Sequence, residues 1–264
     1  MKIVGVVLLL GFATFAMADT AAGLKALESH DYGTAVREFK AGVDRGEADA
    51  QFNLGIMYAR GLGVEKDIAE AWRLFQLAAA QGNAQAQFRL GVRSEKGWGV
   101  QQDFAQASQW YQRAADQGDT FAESNIAALY EDGFGVQQDY KMAVHYYRLA
   151  AENGFAPAQF NLGQLIEKGK GTKRDDTEAF QWFKKAADKG LASAQEKVSE
   201  MYARGQGVAA DPEQAYFWST LAAKQNEKNA ERRRAALAAR LTSDAVARAQ
   251  KSAGEWKPVV TAAR

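Results

Sequence analysis

The segment EADAQFNLGIMYARGLGVEKDIAEAWRLFQLAAAQG, residues 47–82, decides the fold because the chain repeats its pattern four more times. Its glycine pair, Gly61 and Gly63, recurs every 36 residues without an insertion or a deletion. A fixed period of this length is typical of stacked repeat proteins, in which each unit buries its apolar face against its neighbours. The period therefore predicts five repeats, over 47–82, 83–118, 119–154, 155–190 and 191–226.

Each repeat predicts two helices joined by a glycine-rich turn. In the first helix, apolar or small residues recur at i, i+4, i+5 and i+8, beginning with Ala50, Leu54 and Gly55, which indicates one buried face. The Gly-x-Gly segment ends this helix, since glycine adopts the left-handed backbone found just past a helix C-terminus. An aspartate follows in every repeat, as at Asp67. Aspartate is a preferred N-cap because its carboxylate accepts a hydrogen bond from an unpaired backbone N–H, so a second helix is expected there.

These repeats resemble Sel1-like repeats, the longer-loop relatives of tetratricopeptide repeats. The first repeat carries the motif at Ala48, Ala50, Gln51, Leu54, Gly55, Tyr58, Gly61, Gly63, Val64, Asp67, Ala71, Trp72, Ala78, Ala79 and Gly82. The resemblance covers residues 47–226. It implies an all-α fold, an α/α right-handed superhelix (a solenoid) of helix-turn-helix repeats with helical caps. It also implies a role in binding proteins or assembling complexes, and it implies no chemistry.

The two ends of the chain leave the period. Residues 1–18 combine a basic start, an apolar run and a small-residue cleavage site, which is the pattern of a secretory signal peptide; an uncleaved membrane anchor is the alternative. Residues 19–46 predict a tetratricopeptide-like cap, and residues 227–264 predict a C-terminal helical cap, because terminal repeats need a polar outer face. We therefore expect an exported protein, periplasmic in a double-membrane bacterium or else secreted.

Composition argues against several classes of function. The chain has no cysteine, which excludes disulfides and thiolate metal sites. Cleavage after Ala18 removes Lys2 and lowers the formal net charge from +1 to zero, whereas nucleic-acid binding needs a dense basic surface. The two histidines, His30 and His145, belong to distant segments, and neither a zinc-protease motif nor a nucleophile elbow is present. We predict no catalysis, no cofactor and no metal.

Partner-binding residues are predicted on the first helix of each repeat, which lines the concave face of tetratricopeptide-like stacks. The positions outside the buried stripe vary in chemistry from repeat to repeat, as a non-repetitive partner requires. The predicted residues are Phe52, Ile56, Arg60, Phe88, Val92, Glu95, Lys96, Glu131, Asp132, Phe160, Gln164, Glu167 and Lys168. Among them Phe52, Ile56, Phe88 and Val92 would form an apolar patch of the kind that marks interaction sites. The alternative is that these phenylalanines pack between adjacent helices.

The second repeat departs most from the pattern. Arg93 replaces an apolar residue on its first helix, and Ser94 and Ser108 replace aromatic ones. Either this repeat has a polar notch at a binding site, or the Arg93 side chain extends to water and a neighbour fills the gap.

Together these observations predict an exported, non-catalytic scaffold or adaptor that binds a protein or peptide. We expect no nucleic-acid partner, no transmembrane segment in the mature chain, and a monomer. Two alternatives remain open. One is an assembly factor or chaperone for envelope machinery, including peptidoglycan enzymes, and the other is a secreted factor that binds a host protein.

Overall fold

A computed structural model describes residues 20–227 and 229–259, and this part of the chain is helical without a strand. The predicted signal peptide, residues 1–18, lies outside the described residues. The helices are α1 over 20–28, α2 Tyr32–Asp44, α3 Ala48–Arg60, α4 Ile68–Ala80, α5 Ala84–Lys96, α6 Phe104–Ala115, α7 Thr120–Asp132, α8 Tyr140–Glu152, α9 Ala156–Lys168, α10 Asp176–Asp188, α11 Ala192–Arg204, α12 Pro212–Lys224, α13 Ala230–Ala238 and α14 Ser243–Glu255.

The chain forms two compact halves, an N-terminal half that ends at Ala122 and a C-terminal half that begins at Glu123. In the N-terminal half each helix from α2 to α6 packs on the next one in the chain. In the C-terminal half the same is true from α8 to α13, and α14 packs on α12. Consecutive helix pairs of 36-residue repeats confirm the all-α solenoid fold.

The turns between the paired helices follow the predicted glycine and aspartate positions. Gly61 closes α3 with a left-handed φ of 70°. At Gly171 a side chain is impossible, because a Cβ there would lie 2.1 Å from the Tyr140 carbonyl oxygen at the start of α8. Asp67 then caps α4 by accepting a hydrogen bond from the Glu70 backbone N–H at 2.9 Å. A close backbone contact, as at Gly171 in the fourth repeat, and a helix cap, as at Asp67 in the first, therefore fix the conformation of these turns.

Small residues on the first helix of each pair allow an aromatic ring of the second helix to approach closely. A Cβ at Gly91 on α5 would lie 2.5 Å from ring carbons of Tyr111 on α6, and a Cβ at Gly163 on α9 would lie 2.8 Å from Phe183 on α10. Both aromatic side chains are fully buried. This large-to-small fit supplies the dense core of each repeat.

Buried glutamines join successive repeats. Gln195 at the start of α11 is fully buried, and its Nε2 donates to the Ala187 carbonyl near the end of α10 at 3.3 Å. Gln225, just past α12, in turn donates from its Nε2 to the Gln195 Oε1 at 3.0 Å. Gln87 repeats this geometry in the N-terminal half. The Ala187 and Ala79 carbonyls also accept from the backbone N–H groups of Gly190 and Gly82, so each buried glutamine adds a second hydrogen bond at the end of a helix and links that helix to the next repeat.

Both ends of the described chain are helical. Phe39 of α2 is fully buried, and Gly23 of α1 packs against its ring. At the other end, Leu237 of α13 and Ala249 of α14 share a buried cluster with Tyr216 of α12. Within the described ranges, no helix combines the length and the apolar character needed to cross a membrane.

Candidate partner-binding groove

The structure brings Phe52, Ile56 and Phe88, three residues of the predicted apolar patch, together in one open cavity of about 300 Å³. We define this cavity as the aromatic groove. It is lined by Phe52 and Ile56 of α3, Gln85, Phe88 and Arg89 of α5, and Asp119 and Phe121 at the start of α7. Val92 is half-buried one turn further along α5 and does not line it.

Aromatic rings form the floor and one wall of the groove. Phe52 is only 8% exposed, and its ring centroid lies 5.7 Å from that of Phe75 on α4, so it belongs largely to the core. Phe88 is half-buried, with centroids at 5.9 Å to both Tyr111 and Phe121. Phe121 is 55% exposed. The groove therefore exposes one aromatic wall above a floor that the fold itself requires.

The charged groups of the groove differ in how they are satisfied. The Arg89 guanidinium carbon lies 5.5 Å from the centroids of both Phe52 and Phe75, which is within the range of a cation–π contact. The pKa of Arg89 is lowered, first by burial and then by the neighbouring Arg60. Burial also raises the pKa of the Asp119 carboxyl. Its Oδ1 accepts a 2.8 Å hydrogen bond from the Ala122 backbone N–H, so Asp119 serves as a helix cap.

Two of the predicted acidic residues connect the two helices of their own repeats. Glu95 accepts a hydrogen bond from the Tyr111 hydroxyl at 2.6 Å, and Glu131 accepts one from the Tyr147 hydroxyl at 3.2 Å. Burial, followed by the Glu131 carboxylate, raises the pKa of Tyr147. Glu167 has no such hydroxyl opposite it. Its carboxylate instead forms an ion pair with Lys197, whose Nζ lies 2.8 Å from the Glu167 Oε1. These three carboxylates therefore have internal partners.

The remaining predicted residues are spread over both halves. Phe160 is half-buried, with its ring centroid 5.5 Å from that of Phe183, and Gln164 is half-buried one turn further along α9. Lys96 pairs with its neighbour Glu95. The exposed charged positions are Arg60, Lys96, Asp132 and Lys168. Three residues of the predicted set, Phe52, Ile56 and Phe88, therefore meet at the aromatic groove.

The polar residues of the second repeat have partners within the repeat or on the first repeat. The Arg93 guanidinium lies 4.8 Å from the Trp72 ring centroid, and its Nε donates to the Trp98 carbonyl at 3.2 Å. The Ser94 hydroxyl donates to Gln106 at 2.7 Å, and the Ser108 hydroxyl donates to the carbonyl of Ala105 at 2.8 Å. The Arg93 side chain is thus half-buried, as expected if it extends past the Trp72 ring toward water. In the described part of the chain, no three histidine or acidic side chains lie close enough to hold a metal ion.

The sequence profile of Sel1 repeats matches this chain five times in succession, over residues 48–83, 84–119, 120–155, 156–191 and 192–227. The chain belongs to the Sel1 repeat family. Sel1 repeats form scaffolds that are generally non-catalytic and typically mediate protein–protein interactions.

Two solved Sel1-type structures are similar over most of the chain. A Sel1 repeat protein from Oxalobacter formigenes is 33% identical with a TM-score of 0.74, and the match covers 80% of this chain and 84% of that one. A protective antigen present in uropathogenic Escherichia coli strains, which displays an SLR fold, is 27% identical with a TM-score of 0.63. That match covers 91% of this chain but only 60% of the antigen. No curated protein matches the chain.

Four residues of the groove, Gln85, Arg89, Asp119 and Phe121, were not predicted from the sequence. A signal for two of them exists in the Sel1 repeat register. The positions equivalent to Phe121 hold Asp49, Gln85, Pro157 and Ser193, so an aromatic side chain there is exceptional. The positions equivalent to Arg89 hold Asn53, Asn125, Asn161 and Lys197, so a cation occurs there in two of the five repeats.

Proposed function

We propose that this Sel1 repeat protein is a non-catalytic scaffold that binds a segment of a protein partner in the aromatic groove. The observation that carries the proposal is the exposed ring of Phe121 beside the half-buried ring of Phe88 in an open cavity. Exposed apolar surface of this kind often marks an interaction site, and buried aromatic anchors contribute most to the affinity of protein interfaces.

The dimensions of the groove favour a protein segment over a small-molecule substrate. Its volume of about 300 Å³ is at the lower end of the range for small-ligand pockets, and it is open to solvent. One or two side chains of a partner would fill it. The groove contains one carboxylate, Asp119, which already caps a helix, and no nucleophile lies beside it. Binding therefore fits this geometry better than group transfer.

We also propose that the protein is exported and acts in the periplasm, which the signal-peptide pattern of residues 1–18 supports. Fractionation of cells by osmotic shock tests this proposal directly. Release of the processed protein with the periplasmic contents is the expected result. Recovery from the culture medium would favour the secreted alternative, and retention in the cytoplasm would refute export.

The test of the groove is an affinity capture from envelope extract that compares two matched variants. Phe121→Ser removes the exposed wall of the groove, and Trp98→Ser removes an aromatic ring that is equally exposed, at 56%, outside it. Neither ring is buried, so both variants should fold. An aromatic anchor that dominates an interface costs about 2 kcal/mol or more when it is truncated, which is roughly thirtyfold in Kd.

We expect a partner that the wild-type protein and Trp98→Ser capture and that Phe121→Ser loses. One stoichiometric partner would indicate an adaptor, whereas many substoichiometric clients would indicate a chaperone. Equal capture by all three proteins would contradict the proposal, because the partner would then bind elsewhere.

A further inference from the structure

We infer that the partner segment carries acidic side chains next to its apolar anchor, and that Arg89 is the residue that binds them. This inference rests on the proposed function, since it assigns the chemistry of the segment bound in the aromatic groove. It begins from a half-buried guanidinium whose contacts are the faces of Phe52 and Phe75.

The C-terminal half contains the same arrangement with its anions in place. Lys197 occupies the position equivalent to Arg89 three repeats later, and its ammonium lies 5.8 Å from the ring centroid of Phe183, the equivalent of Phe75. Lys197 forms ion pairs with Glu167 at 2.8 Å and with Glu200 at 3.5 Å. In this protein, then, a cation above that ring is neutralised by two carboxylates.

Around Arg89 both carboxylates are missing from the sequence. The position equivalent to Glu167 is Ala59, and the position equivalent to Glu200 is Val92. Across the described ranges Arg89 forms no ion pair and no hydrogen bond. The charged group that affects its pKa is another cation, Arg60. A half-buried charge without an opposite charge is unfavourable, so a partner carboxylate would find here a cation that has no counter-ion within the protein.

Two neighbouring cations favour acidic side chains over a single terminal carboxylate. The positive charges of Arg60 and Arg89 are balanced by two negative charges, which a segment with two acidic residues can supply. The one carboxylate of the groove itself, Asp119, is engaged by backbone N–H groups. The apolar side chain of the segment would lie in the groove against the rings of Phe88 and Phe121, beside the cations.

The first experiment selects random dodecamer peptides, displayed on phage, against the immobilised full-length protein. Displayed peptides are joined to the coat protein at their C-terminus, so an enriched carboxylate must come from a side chain. We expect enriched sequences that place Asp or Glu within about three residues of an aromatic or large aliphatic residue. Synthetic copies of the best peptide, with and without Glu→Gln and Asp→Asn changes, are then measured by fluorescence anisotropy.

Matched variants separate charge from packing. Arg89→Gln should weaken the acidic peptide at least about tenfold. Arg113→Gln, which removes an arginine from the face of Trp110 outside the groove, should change the Kd less than twofold. Ala59→Glu installs the missing carboxylate and should also weaken binding about tenfold, because it neutralises Arg89 internally. Ala59→Gln, of the same size without the charge, should leave binding within about twofold.

The outcomes distinguish this inference from the proposed function. Selected peptides without acidic enrichment would overturn the acidic inference and leave the groove in place. The same conclusion would follow if Phe121→Ser weakened the binding of an acidic peptide while Arg89→Gln and Ala59→Glu left its Kd unchanged. No enriched peptide, or peptides that bind all variants including Phe121→Ser equally, would overturn the groove itself. The thermal unfolding of each variant, compared with that of the wild type, establishes that losses of binding are not losses of fold.

Discussion

Replacing Gly91 with alanine should destabilise the N-terminal half, although alanine is the better helix former. A Cβ at Gly91 would lie 2.5 Å from two ring carbons of Tyr111, nearly 1 Å inside the 3.4 Å at which ordinary contact begins. Tyr111 is fully buried, and its hydroxyl donates to Glu95 at 2.6 Å. Moving the ring by that distance would stretch or break this hydrogen bond.

The change in the free energy of unfolding combines two destabilising contributions and one stabilising contribution. Inserting a methyl group into a packed core costs about 1–3 kcal/mol. Weakening a partly exposed hydrogen bond to a carboxylate adds about 1 kcal/mol. The helix propensity of alanine over glycine returns about 1 kcal/mol. The net expectation is a destabilisation of about 1–3 kcal/mol.

The third repeat supports the direction of this effect. Its sequence register places Ala127 opposite Tyr147, where Gly91 stands opposite Tyr111 in the second repeat. The hydroxyl-to-carboxylate distance there is 3.2 Å, against 2.6 Å beside the glycine. The extra methyl group coincides with the longer hydrogen bond.

Urea unfolding followed by near-ultraviolet circular dichroism measures the effect as a shift in midpoint, which does not depend on two-state behaviour across all repeats. The control is Gly254→Ala in α14, where a Cβ would meet nothing within 4 Å. The control should unfold at the same urea concentration as the wild type or slightly higher. A Gly91→Ala protein that is as stable as the control would refute this account of the repeat core.

Two further predictions concern polar groups. Gln195→Leu should lower stability by about 1 kcal/mol, because it removes the hydrogen bonds that the buried Gln195 amide makes with the Ala187 carbonyl and with Gln225; an unchanged urea midpoint would contradict this. The pKa of Glu70 lies below its ordinary 4.5, first because Arg73 donates to it a hydrogen bond. Stability from this pair is therefore present above pH 4.5 and lost as the pH falls through the lowered pKa. Since the pair is largely exposed, Arg73→Gln should cost about 0–1 kcal/mol at pH 7, and the difference from wild type should shrink toward pH 3; a difference that persists at pH 3 would count against the ion pair.

The fold was predictable because each repeat uses residues with narrow backbone or packing requirements. Glycine at position 61, aspartate at position 67 and the alternation of large and small side chains each indicate one local structure, and five copies remove ambiguity. The family profile and the helix pairs confirm that prediction. Its repeat boundaries differ from those of the profile by one residue, which is the usual uncertainty of helix ends.

The binding surface was less predictable because it depends on contacts between helices. Helical periodicity places Phe52 off the buried stripe, yet Arg89 and Phe75 from the following helices cover its ring. Glu95 varies from repeat to repeat like a ligand-binding residue, but it pairs with the hydroxyl of Tyr111, which lies 16 residues later. A comparison of each residue with the positions that the following helices place against it would have revealed both cases.

The most direct test of the central claim is photo-crosslinking in living cells from the wall of the aromatic groove. Benzoylphenylalanine is introduced at Phe121 and, as the matched control, at Trp98, which is equally exposed and lies outside the groove. We predict a discrete crosslinked partner from position 121 and none from position 98, with the crosslinked peptide rich in acidic residues. The same adducts from both positions, or an adduct from position 98 alone, would contradict it.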